Sequence, residues 1–199
     1  MEFKRLTQSN AQLIADHWHY PNEYAFYDAT ADPEDYERSE SMRKIAVISD
    51  VHGNVTALEA VLADAREQDC TDYWFLGDLF LPGPGTNDLL ALHDGIPVTA
   101  YIRGNWEAGL FEVLDGPITD TSAGSMYLTI LGDNLLQKLS AAEIERIRNL
   151  PTSQVMTVAG VKFQLSHNLL TKDYGGELMP AADQANFDEL AGSEADIVL

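Results

Sequence analysis

The run Ile45-Ala46-Val47-Ile48-Ser49-Asp50-Val51-His52-Gly53-Asn54 constrains this chain more than any other stretch. Its first four residues, small or β-branched, predict a strand buried on both faces. Asp50, His52 and Gly53 stand at the carboxyl end of that strand. Val55, Leu58, Val61, Leu62 and Ala65 then recur on one face of a predicted helix. Strand, polar turn and helix in that order point to an open α/β sheet, where ligands gather beyond the carboxyl ends of the strands. The spacing of Asp50 and His52 puts a carboxylate and an imidazole on one side of an extended chain, within reach of a single divalent cation. The same two residues would also serve as ordinary polar members of a strand-to-helix turn.

Three later apolar runs end in the same manner. Tyr73 to Leu76 leads into Gly77-Asp78, Ala100 to Ile102 leads into Arg103-Gly104-Asn105, and Phe163 to Leu165 leads into Ser166-His167-Asn168. The ordered set Asp-X-His, Gly-Asp, Gly-Asn, His resembles the calcineurin-like metallophosphoesterase family over residues 43 to 199. Pro82-Gly83-Pro84-Gly85-Thr86-Asn87-Asp88-Leu89 and Lys172-Asp173-Tyr174-Gly175 are similar to a bacterial branch of small phosphodiesterase-like members.

The resemblance implies an α/β sandwich of two mainly mixed β-sheets flanked by helices. It implies two divalent cations, with Asp50 and His52 on the first, Asn105 and His167 on the second, and Asp78 bridging them. Oxygen and imidazole donors without thiolate suit Mn²⁺, Fe or Zn²⁺. Held roughly 3.5–4 Å apart, two such cations position a hydroxide as nucleophile and stabilise both the attacking and the leaving oxygen. Asp78, Asn105 and His167 are then the expected catalytic centre, and the substrate is a phosphodiester or a nucleotide-like phosphate ester. Asn54, Arg103, Trp106 and Lys172 are the expected substrate contacts.

Two departures from the family pattern bear on this expectation. Many relatives carry His directly after Gly-Asn, and this chain has Trp106 there, followed by Glu107. An indole N–H gives a hydrogen bond but no titratable proton. That favours esters with good leaving groups, and a ring able to stack on a base. The family's Gly-His-X-His is expected directly after a strand such as Asp196-Ile197-Val198-Leu199, where this sequence stops. The expectation is a C-terminally incomplete domain with two ligands missing, metal-poor and nearly inactive. The alternative reading is a non-catalytic metal-binding or scaffold protein that keeps the fold.

Residues 1–41 read as a separate aromatic and acidic extension before a phosphoesterase domain at 42–199. Phe3-Lys4-Arg5-Leu6-Thr7 through Tyr24-Ala25-Phe26-Tyr27-Asp28 resembles the opening of GNAT-type acetyltransferases, yet no Gly-rich loop for a coenzyme pyrophosphate follows. A short helix is expected around Ser9 to Trp18. His17 and His19 read as packing or surface residues, with metal binding as the alternative.

Among 199 residues the formal charge is −20, which argues against extended nucleic-acid binding. It also repels phosphate esters unless cations reverse the local sign. No apolar run approaches the roughly 20 residues that span a bilayer, and no basic, apolar leader opens the chain. With Cys70 alone, a reducing, cytoplasmic setting is expected. Further along, Thr86 is expected to cap a helix carrying Leu89, Leu90 and Leu92. Helical spacing from Ser122 to Leu139 is interrupted at Gly132. Ser140 and Glu143 form a capping box. Val155 to Leu165 reads as a hairpin turning at Ala159-Gly160, and Pro180 to Leu190 as a helix. Ala195 to Leu199 reads as a last buried strand whose ragged edge invites a second copy of the chain.

Overall fold

In the computed structural model the described residues are 43–115, 121–172, 184, 188 and 193–199. The expected helix around Ser9, the His17 and His19 pair, and most of the expected Pro180–Leu190 helix lie outside them. Lys44–Leu199 forms a compact unit. Its elements run β1 (Ile45–Ile48), α1 (Val55–Glu67), β2 (Asp72–Phe75), α2 (Asn87–Asp94) and β3 (Val98–Tyr101). Then come α3 (Asn105–Asp115), α4 (Ala123–Leu136), α5 (Ala141–Arg148), β4 (Ser153–Val158), β5 (Val161–Ser166) and β6 (Ile197–Val198). None of the described helices is long and apolar enough to cross a membrane.

Two three-stranded sheets result. The first has the order β1-β2-β3 and is parallel throughout; the second, β4-β5-β6, pairs β4 antiparallel and β6 parallel to β5. β2 is the centre of both cores. Tyr73 and Phe75 turn to one face, where they pack with Leu58, Leu62, Leu89 and Leu110 from α1, α2 and α3. Trp74 and Leu76 turn to the other, against Leu165 and Phe163 of the second sheet. The Trp74 and Phe163 rings meet edge to face at 5.3 Å, a geometry favoured by the ring quadrupoles. Helices, first sheet and second sheet thus stack in that order.

The burial of β1 differs from expectation. It is an outer strand of the first sheet among the described residues, and Val47 is 46% exposed. Burial on both faces belongs to β2, all four of whose residues are buried. On α1, Leu58, Leu62 and Ala65 are buried but Val61 is not, because three helical positions fill the space over the sheet. Thr86 makes no side-chain cap on α2; Asp88 does this work, accepting from the backbone N–H of Thr86 and of Leu89. α4 runs unbroken through Gly132, which is buried within it, so close packing there offsets the glycine's low propensity.

The capping box of Ser140 and Glu143 forms as expected. So does the hairpin, whose turn residues Ala159 and Gly160 both have positive φ, at 49° and 82°. Such a turn follows the right-handed twist of the strands it joins. The last strand is shorter and more exposed than expected. β6 holds two residues, and Ile197 and Leu199 are exposed at its edge position.

Candidate metal centre at the strand ends

Parallel pairing sends the carboxyl ends of β1, β2 and β3 to one side of the first sheet, and the loops that follow stay paired. Asp50 N–H donates to the Gly77 carbonyl at 3.2 Å, His52 N–H to the Asp78 carbonyl at 2.9 Å, and Gly53 N–H to the Leu79 carbonyl at 2.9 Å. The Pro-Gly loop joins them, as Gly83 and Gly85 donate to the carbonyls of His52 and Gly53. Asp50, His52 and Asp78 sit in the left-handed region, with φ of 56°, 51° and 55°. Non-glycine residues in this region store strain, which neighbouring contacts must hold in place.

The five side chains singled out from the sequence meet here. His52 Nε2 lies 3.3 Å from Asp50 Oδ1 and 3.9 Å from Asp78 Oδ2. On the other side, His167 Nε2 lies 3.4 Å from the same Asp78 oxygen and 3.0 Å from Asn105 Oδ1. Asp78 is 1% exposed, and its remaining oxygen accepts the backbone N–H of Trp106 at 2.9 Å. Ligand atoms of Asp50, His52 and Asp78 all fall within 4.8 Å of one another.

Both imidazoles are oriented from behind. His52 Nδ1 lies 2.7 Å from the Leu81 carbonyl and His167 Nδ1 lies 2.6 Å from the Leu76 carbonyl. A carbonyl only accepts, so each Nδ1 carries the proton and each Nε2 turns toward the carboxylates. That is the arrangement in which imidazole ligates a cation. Burial pulls the His167 pKa down, but the bonds to the Asp78 carboxylate and the Leu76 carbonyl, with the Asp78 and Asp50 charges, outweigh it. The result is a pKa of about 9. A strongly raised histidine among carboxylates marks a place that lacks positive charge, and the oxygen and imidazole donors fit divalent cations.

Glu107 escaped the sequence reading. It is 1% exposed on the first turn of α3, and its carboxylate accepts four backbone N–H groups. Oε2 takes those of Asp78 at 2.8 Å and Gly104 at 3.0 Å; Oε1 takes those of Leu79 at 2.9 Å and Phe80 at 3.3 Å. Burial raises its pKa, the Asp78 charge raises it further, and the backbone bonds oppose both. An acid in the first turn of a helix usually answers the helix dipole. Here it ties the loop bearing Asp78 to the loop bearing Asn105. Its position two residues after Asn105 was the only sign in the sequence.

Two glycines make the close approach possible. A Cβ at Gly104 would come within 2.5 Å of Asp78 N and 2.8 Å of its Cγ; one at Gly77 would come within 2.9 Å of His167 Nδ1. The expected substrate contacts are more dispersed. Asn54 Oδ1 caps α1 by accepting from Ala57 N–H at 3.0 Å. The Arg103 guanidinium donates to Thr152 Oγ1 at 3.1 Å, and Lys172 is exposed after a short bridge to Leu169. Trp106 is half-buried with its ring 6.1 Å from that of His52, nearly perpendicular to it.

The model of the calcineurin-like phosphoesterase superfamily domain matches residues 43–196, and the chain belongs to that family. Among solved structures it is similar to hypothetical protein PH1004 from Pyrococcus horikoshii OT3, at 19% identity and a TM-score of 0.57. That match covers 73% of this chain and 63% of the other. It is also similar to a metallophosphoesterase from Sphaerobacter thermophilus, at 20% identity and a TM-score of 0.56, over 78% of this chain and 58% of that one. At these identities the likeness is one of fold, and the chain spans about three fifths of the length of each. No curated protein matches it.

Proposed function

We propose that the domain at residues 42–199 hydrolyses phosphodiester bonds with two divalent cations, and that residues 1–41 form a non-catalytic extension. Family membership supports hydrolysis of phosphate esters in general. The observation that carries the reading is the position of Asp78 Oδ2, which faces Nε2 of both His52 and His167. One carboxylate shared by two imidazole-bearing sets suits a pair of cations.

Asp50, His52 and Asp78 would hold one cation, and Asp78, Asn105 and His167 the other. When bound, the pair supplies Lewis acidity at the phosphoryl oxygens and a lowered pKa for water. The chain's own residues orient the imidazoles, exclude solvent around Asp78 and fix the loops through Glu107. Trp106 offers hydrogen bonding or ring contact to the substrate but no proton for a poor leaving group. A diester with an acidic leaving alcohol therefore fits better than an alkyl monoester.

The test is turnover of bis-p-nitrophenyl phosphate against p-nitrophenyl phosphate with Mn²⁺, beside metal analysis of the purified chain. Faster diester hydrolysis, lost with chelator and in Asp78→Asn, is the expected result. Two bound cations without turnover of either ester would instead support a non-catalytic metal-binding protein.

A further inference from the structure

A cavity of about 580 Å³ opens beside the candidate centre, between α3 and α4. Asn105, Trp106, Gly109, Glu112, Tyr127 and Leu128 line it. Asn105 belongs to both the cavity and the donor set, so whatever fills the cavity adjoins the phosphate position. Tyr127 also lines a second cavity of about 550 Å³, shared with His52 and Asn54. It thus stands at the mouth of the centre from both sides, with 51% of its surface exposed. Two aromatic residues and a leucine offer a flat, apolar lining, and Glu112 contributes a carboxylate that only accepts hydrogen bonds. In a protein of charge −20, binding energy for an anionic ester is better drawn from an uncharged part of the substrate than from its phosphate.

Gly124, on the first turn of α4, is also among the lining residues. A Cβ there would meet nothing within 4 Å. No close approach accounts for a glycine at this place, so a larger residue can be introduced into the lining without a clash at its Cβ.

We propose that this cavity binds the base of a nucleoside phosphodiester. The ring stacks against the aromatic lining, and Glu112 accepts from an exocyclic amino group. The hydrolytic role assigned to the neighbouring centre rests on the preceding proposal; recognition of the ring does not require turnover.

Two measurements separate these claims. The first is calorimetric binding of adenosine and uridine to the chain, with Tyr127→Ala and Gly124→Leu compared with the unsubstituted protein. Gly124→Leu raises helix propensity, so circular dichroism should report an intact fold. Saturable adenosine binding, stronger than uridine binding and weakened at least tenfold in both variants, is expected. The second is hydrolysis, with Mn²⁺, of methyl p-nitrophenyl phosphate and adenosine 5′-(p-nitrophenyl) phosphate. Both variants should raise KM for the adenosine ester at least tenfold, with kcat within twofold and the methyl ester unaffected.

Adenosine binding that the variants abolish, without turnover of either ester, would support the base site and overturn the hydrolytic reading. Turnover of the methyl ester, with no adenosine binding or with equal effects on both esters, would overturn the base site alone. Absence of both turnover and adenosine binding would overturn both.

Discussion

Glu107 Oε2 accepts the backbone N–H of Asp78 at 2.8 Å, and the same oxygen accepts that of Gly104 at 3.0 Å. One buried carboxylate thereby fixes the turns that follow two different strands. Glutamine cannot replace it. Its single acceptor oxygen could face one pair of N–H groups, while its NH₂ would confront the other pair. Each buried donor left without a partner costs about 1–3 kcal/mol. Glu107→Gln should therefore lose stability by about 2–5 kcal/mol, read by urea denaturation, and should weaken Mn²⁺ binding at least tenfold by calorimetry. Retention of both properties would remove Glu107 from any part in holding the centre.

Asp78 should matter more to metal binding than Asp50, because Asp78 faces both histidines whereas Asp50 faces only His52. Asp78→Asn is expected to lose tight binding of either cation, and Asp50→Asn to lose mainly one. Mn²⁺ titrations that show two undiminished sites in Asp78→Asn would contradict the shared-carboxylate assignment.

His167 gives a pH dependence whose direction is fixed. Its pKa is raised from 6.5 to about 9 in the folded chain. The metal-free protein therefore holds its full contribution below about pH 6.5 and loses it as pH rises through about 9. His167→Asn should flatten this part of the stability profile. Metal binding must displace the same proton, so Mn²⁺ affinity should strengthen as pH rises toward 9, with measurable proton release in weakly buffered solution. Binding independent of pH across that window would show that His167 is not a ligand.

Two glycine substitutions should behave oppositely. Gly104→Ala places a methyl group against the backbone and carboxylate of Asp78, and overpacking of this kind costs about 1–3 kcal/mol. It should also disturb metal binding. Gly124→Ala meets open space on a helix and should stabilise by about 0.5–1 kcal/mol. Thermal melts of the two variants, read side by side, check both signs.

Ser140→Ala serves as a distant control. The capping box at the start of α5 would be broken, at about 1 kcal/mol. Stability should fall with metal affinity and turnover unchanged. A large loss of affinity in this variant would mean that the centre responds to global destabilisation, which would weaken every argument drawn from Glu107 and Gly104.

Much of this architecture can be read from the chain because the informative residues lie at the ends of short apolar runs. Asp50, His52, Asp78 and Asn105 follow parallel strands of one sheet, so strand direction brings those four near one another, and His167 joins them from the end of β5 in the second sheet. Glu107 was not legible in the same way. Its role depends on which backbone groups surround it in space, and a helix-start acid looks the same whether it faces water or four N–H groups. The exposure of Val47 and Val61 was misread for a related reason: periodicity shows which residues share a face but not how wide the covering layer is. Thr86 was chosen as a cap by residue type, whereas Asp88, two positions on, accepts the backbone N–H of Leu89 and of Thr86 itself with a charged group.

The bond from His167 to the Leu76 carbonyl has a consequence for the order in which this protein is made. It joins residues 91 positions apart, and the contact of His167 with Asn105 spans 62. A chain emerging from the ribosome would have β1, β2, β3 and Glu107 in hand well before the β4–β5 hairpin exists. The first half of the donor set can then form early and wait for the rest, with His167 as the closing piece. Contacts of such long sequence separation carry the largest loop-closure penalty and form late. During synthesis a cation meeting the half-built centre would find Asp50, His52 and Asp78 already together, and loading should start at that end.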